Sequence, residues 1–305
     1  MKKTLYITAL ALMVHSSLFG GDFNLFDIPN ADHKVKPEMI EKSLEAKGFY
    51  ISANTEMNGP FVKQFQQSDF EVFNLLTVFH KEHASTLVKA HPDAGIFVPM
   101  GVGIYQRKGE NTLHVAVLTD DAQKKIAGFD APEFALIEKE VVQTISALAP
   151  GVRQYESESS LPAEGALLSR YVKQTDAASW SSDKDGLEMM IEEGLKPAGF
   201  VMSNFTDYNF MLNESSEPSP FDFYDTYSIC KLKVIYTVAK TRPEAAAFAP
   251  CTLMVYKKKE SDEIVMGFPG VYNWMSSARV HDPEAKEVLM QAQTDFEQVL
   301  QNAAE

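Results

Sequence analysis

Cysteine is scarce in this chain: Cys230 and Cys251 are the only two among 305 residues. That excludes a disulfide-dense small scaffold, and with no Cys-x-x-Cys pair it also excludes the usual dithiol redox motif and the c-type haem attachment site. Other chemical signatures are missing as well. There is no glycine-rich phosphate loop, no Gly-x-Ser-x-Gly elbow and no His-Glu-x-x-His, so no linear motif announces a nucleotide enzyme, a serine hydrolase or a zinc protease. Positive charge is short too. Lys and Arg number 28 against 42 Asp and Glu, a formal charge of −14, which opposes non-specific nucleic-acid binding because that binding runs on cationic neutralisation of phosphates.

Long apolar runs are confined to the N-terminus. Lys2 and Lys3 precede the run Leu5 to Val14, and His15, Ser16 and Ser17 break it before Leu18, Phe19, Gly20 and Gly21. This is the pattern of a secretory signal peptide over residues 1–21, with an uncleaved anchor as the rival reading. The apolar stretch is short for a membrane span. The mature protein is expected in the periplasm or outside the cell, with no membrane segment after cleavage. Cutting after Gly20 removes two lysines and no acid, taking the charge from −14 to −16.

What is present is a repeat. Residues 39–108 align without a gap to residues 190–259, an offset of 151, with 19 of the 70 positions identical. Among them are Ile40/Ile191, Leu44/Leu195, Gly48/Gly199, Phe49/Phe200, Phe70/Phe221, Pro92/Pro243, Phe97/Phe248, Pro99/Pro250 and Tyr105/Tyr256. Helix stops, turn prolines and core apolars are the positions that a shared backbone constrains. A first repeat over 22–149, a linker over 150–163 and a second repeat over 164–305 follow, the linker placed where Glu156 to Ser160 lose apolar periodicity. Composition agrees: 45% apolar and 23% charged are ordinary values for a globular chain of two domains.

Within the first repeat, Pro37 followed by Met39, Ile40 and Leu44 and stopped by Gly48 predicts a short amphipathic helix over 37–47, matched by 187–198 in the second. Phe49 to Thr55 and Phe70 to Phe79 read as strands, with an ambiguous stretch at 59–65 between them. A helix after His80 must end before Pro92. Gly95 to Tyr105 and Thr112 to Leu118 then read as a hairpin, with Ala246 to Tyr256 and Glu263 to Phe268 as their counterparts. Closing helices are expected from Pro132 and Pro283, the latter capped by Asp282. Each repeat is therefore expected to be α+β, a mostly antiparallel sheet with helices packed on it. The two together would make a monomer with an internal pseudo-dimer, or a homodimer.

Cys230 closes one strand and Cys251 opens another. In an exported protein such a pair is expected as a structural disulfide; two free buried thiols, or a redox or metal role, are the alternatives. The first repeat has Phe79 and Met100 at these places.

Cys230, Pro243 and the Pro250, Cys251 pair, followed by an apolar strand ending in Tyr256, resemble the signature of the domain of unknown function 302 family. Pro92, Pro99 and Tyr105 carry the same resemblance in the first repeat, without the cysteines. Lys231 and Leu232 stand where the family usually has asparagine and proline. The resemblance implies a two-layer sheet-and-helices arrangement like that of the TATA-binding protein, and it implies no activity and no cofactor.

His80, His83 and His91 form a local cluster, but Lys231, Val234 and Arg242 hold the matching positions and no acid or cysteine is obviously placed to complete a metal shell, so a solvated face is expected and no metal. Aromatics crowd the second repeat. Phe268, Tyr272, Asn273 and Trp274 stand where the first repeat has Val117, Asp121, Ala122 and Gln123. Glycine, proline and asparagine among aromatics suggest a shaped loop at 267–274. The expectation is a non-enzymatic binding protein whose site for a small apolar ligand or a partner protein lies at Phe268, Tyr272, Asn273 and Trp274. A redox or sulfur-handling protein using Cys230 and Cys251 is the alternative.

Overall fold

The computed structural model describes residues 20–214 and 217–305. The expected signal peptide therefore lies almost wholly outside the described residues. Among those described, no helix is long and apolar enough to cross a membrane.

Among the described residues, eleven strands and ten α-helices follow one another as β1 (Phe23–Pro29), α1 (Pro37–Glu45), β2 (Phe49–Glu56), α2 (Asn58–Phe65), β3 (Phe70–His80), α3 (Lys81–Ala90), β4 (Met100–Arg107), β5 (Thr112–Leu118), α4 (Asp120–Ala127), α5 (Pro132–Ser146), β6 (Arg153–Glu156), β7 (Leu168–Gln174), α6 (Trp180–Leu195), β8 (Val201–Asp207), α7 (Tyr208–Asn213), β9 (Phe221–Cys230), α8 (Leu232–Ala239), β10 (Cys251–Lys258), β11 (Glu263–Pro269), α9 (Tyr272–Ser277) and α10 (Pro283–Ala304). Short 3-10 helices, Pro92–Phe97 and Pro243–Phe248, precede β4 and β10. Two antiparallel sheets result, ordered β2-β3-β4-β5-β1-β6 and β7-β11-β10-β9-β8. The fold is α+β with helices packed on both sheets.

From β2 to the start of α10, element follows element at the offset of 151. β4 and β10, β5 and β11, and the two 3-10 helices match at both ends. Even an irregularity recurs: the register of β2 on β3 slips between Ile51 and Ala53, and that of β8 on β9 between Met202 and Asn204. Local chemistry explains the starts. Proline stands at the first helical position of α1, α5 and α10, where its missing N–H costs nothing. Asp282 caps α10, accepting from the Ala285 N–H at 2.8 Å. In α1 the four-residue spacing of Ile40 and Leu44 points both at the sheet, where they are fully buried, each contributing about 1.5–3 kcal/mol.

Several expectations need correction. Gly95 to Phe97 and Ala246 to Phe248 are not strand but 3-10 helix: each apolar segment is buried by the other half of the molecule rather than by its own sheet. The 243–248 segment lies across β4, where a side chain at Gly101 would sit 2.4 Å from the Ala247 carbonyl oxygen and one at Gly103 would sit 2.8 Å from Ala246 Cβ. Reciprocally, Tyr256 bonds Asp93 at 2.7 Å, Tyr224 bonds the Pro92 carbonyl, and Thr252 Oγ1 donates to the Pro99 carbonyl at 2.7 Å. Residues 153–156, inside the expected linker, are strand β6, paired with β1. The stretch 59–65 is helical as part of α2. Residues 267–274 are the end of β11 and the start of α9 rather than an irregular loop.

Candidate functional site

Cys230 and Cys251 are free thiols, which corrects the expected disulfide. The helix does return the two strand ends to the same neighbourhood, but Cys251 pairs across the sheet with Ile229, one residue short of Cys230. With Ile229 rather than Cys230 directly opposite Cys251, the two cysteines are not a cross-strand pair, and their sulfurs are unbonded.

The thiols instead border one cavity of about 40 Å³, walled by Phe200, Phe268, Trp274 and Phe296 and by apolar residues of α8 and α10. β9 and β10 present the cysteines, β11 presents Phe268, and α9 folds Trp274 over the top. Phe268 lies 4.3 Å from the Phe296 ring, and Trp274 stacks on Phe248 at 5.9 Å. The rim is closed by Lys231, whose ammonium pairs with Asp295 at 2.6 Å and sits 4.9 Å from the centre of the Phe200 ring.

Burial dominates the chemistry of this space. It pushes the Cys230 thiol up to about 11 and the Cys251 thiol up to about 12. The indole N–H of Trp274, hydrogen-bonded to the Cys251 sulfur, offsets only part of that rise. A thiol held protonated is a poor nucleophile and a poor ligand for metals. The cavity is suited to holding an apolar group rather than reacting with it.

The four residues expected to bind a ligand are divided by the structure. Phe268 and Trp274 wall the cavity and are nearly fully buried. Asn273, also buried, turns away and ties the chain to itself: its Nδ2 donates to the Leu167 carbonyl at 2.6 Å and the Gly270 carbonyl at 2.9 Å. Tyr272 is half-buried against Gly165, where a side chain would meet its ring at 2.4 Å. Sequence reasoning missed Phe200, Phe296 and Val234; the return of α10 and α8 brings the last two here, and Phe200 stands just before β8. The three histidines also separate. His91 stacks on Phe129 at 4.3 Å, whereas His80 and His83 stack on each other at 4.2 Å and meet a carboxylate that their surroundings in sequence do not reveal, Glu140 of α5.

The same cavity occurs in the first half, beneath α3 and lined by Phe79, His80, Ala84, Met100, Gln123 and Ile137, but it has a volume of only about 10 Å³.

Comparison with known proteins finds a family match within the second half. Residues 181–303, from the first turn of α6 to the end of α10, match the family described as "Domain of unknown function DUF302". A particular solved structure is similar to this chain: the crystal structure of an uncharacterized conserved DUF302 protein from Bacillus stearothermophilus, 18% identical, covering 46% of this chain and 100% of that one, with a TM-score of 0.37. No curated protein matches the chain.

Proposed function

We propose that the protein is an exported, non-enzymatic binding protein built by tandem duplication of one α+β module, and that its second module holds a small apolar ligand between Cys230, Cys251, Phe268 and Trp274. The duplication is supported by the constant offset of 151, by the matching element bounds and by the recurring slip in register. The signal-like N-terminus supports a periplasmic or secreted location, and the acidic balance a partner other than nucleic acid. The repeats form a pseudo-dimer within one chain.

One observation carries the binding reading. At the same place in the same backbone, the first half leaves about 10 Å³ and the second about 40 Å³. A cavity needs about 10–15 Å³ of such space to hold one water molecule. The second cavity therefore admits a group of that size as it stands, and a larger ligand must displace Trp274. Its lining offers no set of polar partners to hold water, so an apolar occupant is favoured. The raised thiol pKa values favour this reading over a redox role for Cys230 and Cys251, which would need a thiolate at working pH.

The test fills the cavity. Replacing both cysteines by valine adds one heavy atom at each site while keeping residues that suit a strand. Wild-type protein should bind xenon, seen by xenon-129 NMR, and should retain an extra mass by native mass spectrometry when purified from its own host. The Cys230→Val, Cys251→Val protein should fold and do neither. Xenon binding that is equal in both proteins overturns the assignment of the site.

A further inference from the structure

We propose that His80, His83 and Glu140 form a site for a divalent first-row transition metal of the zinc class in the first half. These three residues are brought together from separate elements. His80 ends β3, His83 lies in the first turn of α3, and Glu140 comes from the middle of α5, which packs beside α3. The Nε2 atom of His80 lies 3.1 Å from one oxygen of Glu140, and the Nε2 atom of His83 lies 4.0 Å from the other. The three donor atoms all fall within 4.8 Å of one another.

Those spacings suit a bound ion. With metal–nitrogen and metal–oxygen bonds of about 2.0–2.2 Å, donors around a tetrahedral ion stand roughly 3.4 Å apart. Small side-chain rotations bring the observed set to that geometry. Two imidazoles and one carboxylate select zinc and its neighbours over calcium or magnesium, which prefer all-oxygen shells. Exposure is graded from inside to outside. The side chain of His80 is 9% exposed, that of His83 21% and that of Glu140 36%, so the inner ligand is fixed by packing while the outer two leave an entry path and a position for water. Phe49 stands edge-on to the His80 ring at 5.1 Å and helps fix it.

The second half supplies a built-in contrast. Lys231, Val234 and Gln291 occupy the three matching positions, and the Lys231 ammonium is paired with Asp295. An ammonium cannot ligate a cation, so the site belongs to one half alone. It is also independent of the cavity proposed above, which lies in the other half.

In the metal-free protein His80 has a second task. Its Nδ1 accepts the His83 backbone N–H at 3.2 Å and caps α3, which leaves the ring proton on Nε2. Metal on Nε2 requires that proton to be on Nδ1, so loading exchanges the cap for a metal–nitrogen bond. Binding at this site should therefore loosen the His83 amide, an effect that zinc on scattered surface carboxylates would not produce.

The experiment uses the mature full chain, stripped with chelator and titrated calorimetrically with zinc chloride. One equivalent should bind, with magnesium chloride giving none, and exchange of the His83 amide should speed up on loading. His83→Ala and Glu140→Gln, both at partly exposed positions, should each weaken zinc about tenfold or more, while His91→Ala should bind as wild type. Cobalt(II) gives a second readout: its visible absorption bands should appear in wild type and be lost in the His83→Ala, Glu140→Gln protein. Zinc binding unchanged in that double variant, or no equivalent bound by wild type, overturns the proposal.

Discussion

The space beneath α3 and the space beneath α8 are walled by the same elements, yet they are filled by opposite strategies. In the first, Phe79 and Met100 reach inward from the strands and the helices answer with Ala84 and Gln123. In the second, Cys230 and Cys251 are short and the filling comes from Ile235, Trp274 and Phe268, the last standing where the first half has Val117. Volume is conserved over the neighbourhood and not position by position, as close-packed interiors require. The residual difference, about 40 Å³ against about 10 Å³, is what remains after that compensation.

The comparison can be broken most severely by moving the second half's cysteines into the first. Phe79→Cys with Met100→Cys removes two large side chains without supplying a tryptophan to replace them. Large-to-small core changes cost roughly 2–5 kcal/mol each when the site collapses poorly, so the double variant should lose about 4 kcal/mol or more in urea unfolding. A loss under about 1 kcal/mol would show that the first half relaxes freely and that side-chain exchange is not compensated by its neighbours.

Trp274→Ala tests the other side of the same exchange. Trp274 is 4% exposed, and truncating a buried tryptophan costs about 3–5 kcal/mol. The matching change, Gln123→Ala, should cost far less, because the Gln123 Nε2 is buried with no hydrogen-bond partner among the described residues and its removal relieves that penalty. Thermal unfolding of the two variants side by side decides it; equal losses would refute the reading of Trp274 as the helix-side filler of the second half.

How far the sequence alone reaches is visible in these same elements. Proline at helix starts, glycine at helix ends and two-residue alternation identified α1, α5, α10, β2, β3, β5 and their counterparts, because those signals act within a few residues. The 3-10 segments were hidden because their apolar runs are buried by the opposite half, which no local pattern reports. β1 was missed where its short run adjoins the N-terminal signal. Glu140 lies 57 positions beyond His83 in the chain, and the disulfide failed on a register of one residue. Phe268 and Trp274 were legible as unusual, but not as buried.

A charge difference between the halves sharpens the comparison by pH. Asp225 stands where the first half has Asn74. Burial pushes its carboxyl up to about 6 from 3.8, and Lys184, 2.7 Å away, offsets only part of that rise. The folded state thus binds this proton more tightly than the unfolded chain, so stability from this group is full below about pH 4 and is lost as pH rises to about 6. At 1.36 kcal/mol per pKa unit the loss is at most about 3 kcal/mol. Asp225→Asn should remove that part of the slope, measured as the difference between the two proteins in urea unfolding at pH 4 and pH 7. An unchanged slope would place Asp225 in its ordinary ionised state.

The smallest effect leaves stability almost untouched and concerns the two thiols. With Cys230 raised to about 11 and Cys251 to about 12, the thiolate fraction at pH 8 is on the order of one in a thousand or less, against roughly one in four for a free cysteine. Alkylation of the native protein by iodoacetamide at pH 8 should be slower by about two orders of magnitude than after unfolding, with two adducts appearing only in denaturant. Thiols introduced at positions 79 and 100 lack an indole donor nearby, so the comparison between halves isolates what Trp274 contributes to Cys251. Trp274→Ala removes that hydrogen bond, which raises the thiol further, but it also opens the cavity to the reagent, which speeds labelling. The two act in opposite directions and separate by pH: access shifts the rate at every pH, whereas the hydrogen bond shifts the pH at which the rate begins to climb. Fast labelling of native wild-type protein at pH 8, or a native mass two hydrogens short of the dithiol, would mean that these sulfurs are ionised or bridged and that the cavity is a reactive centre after all.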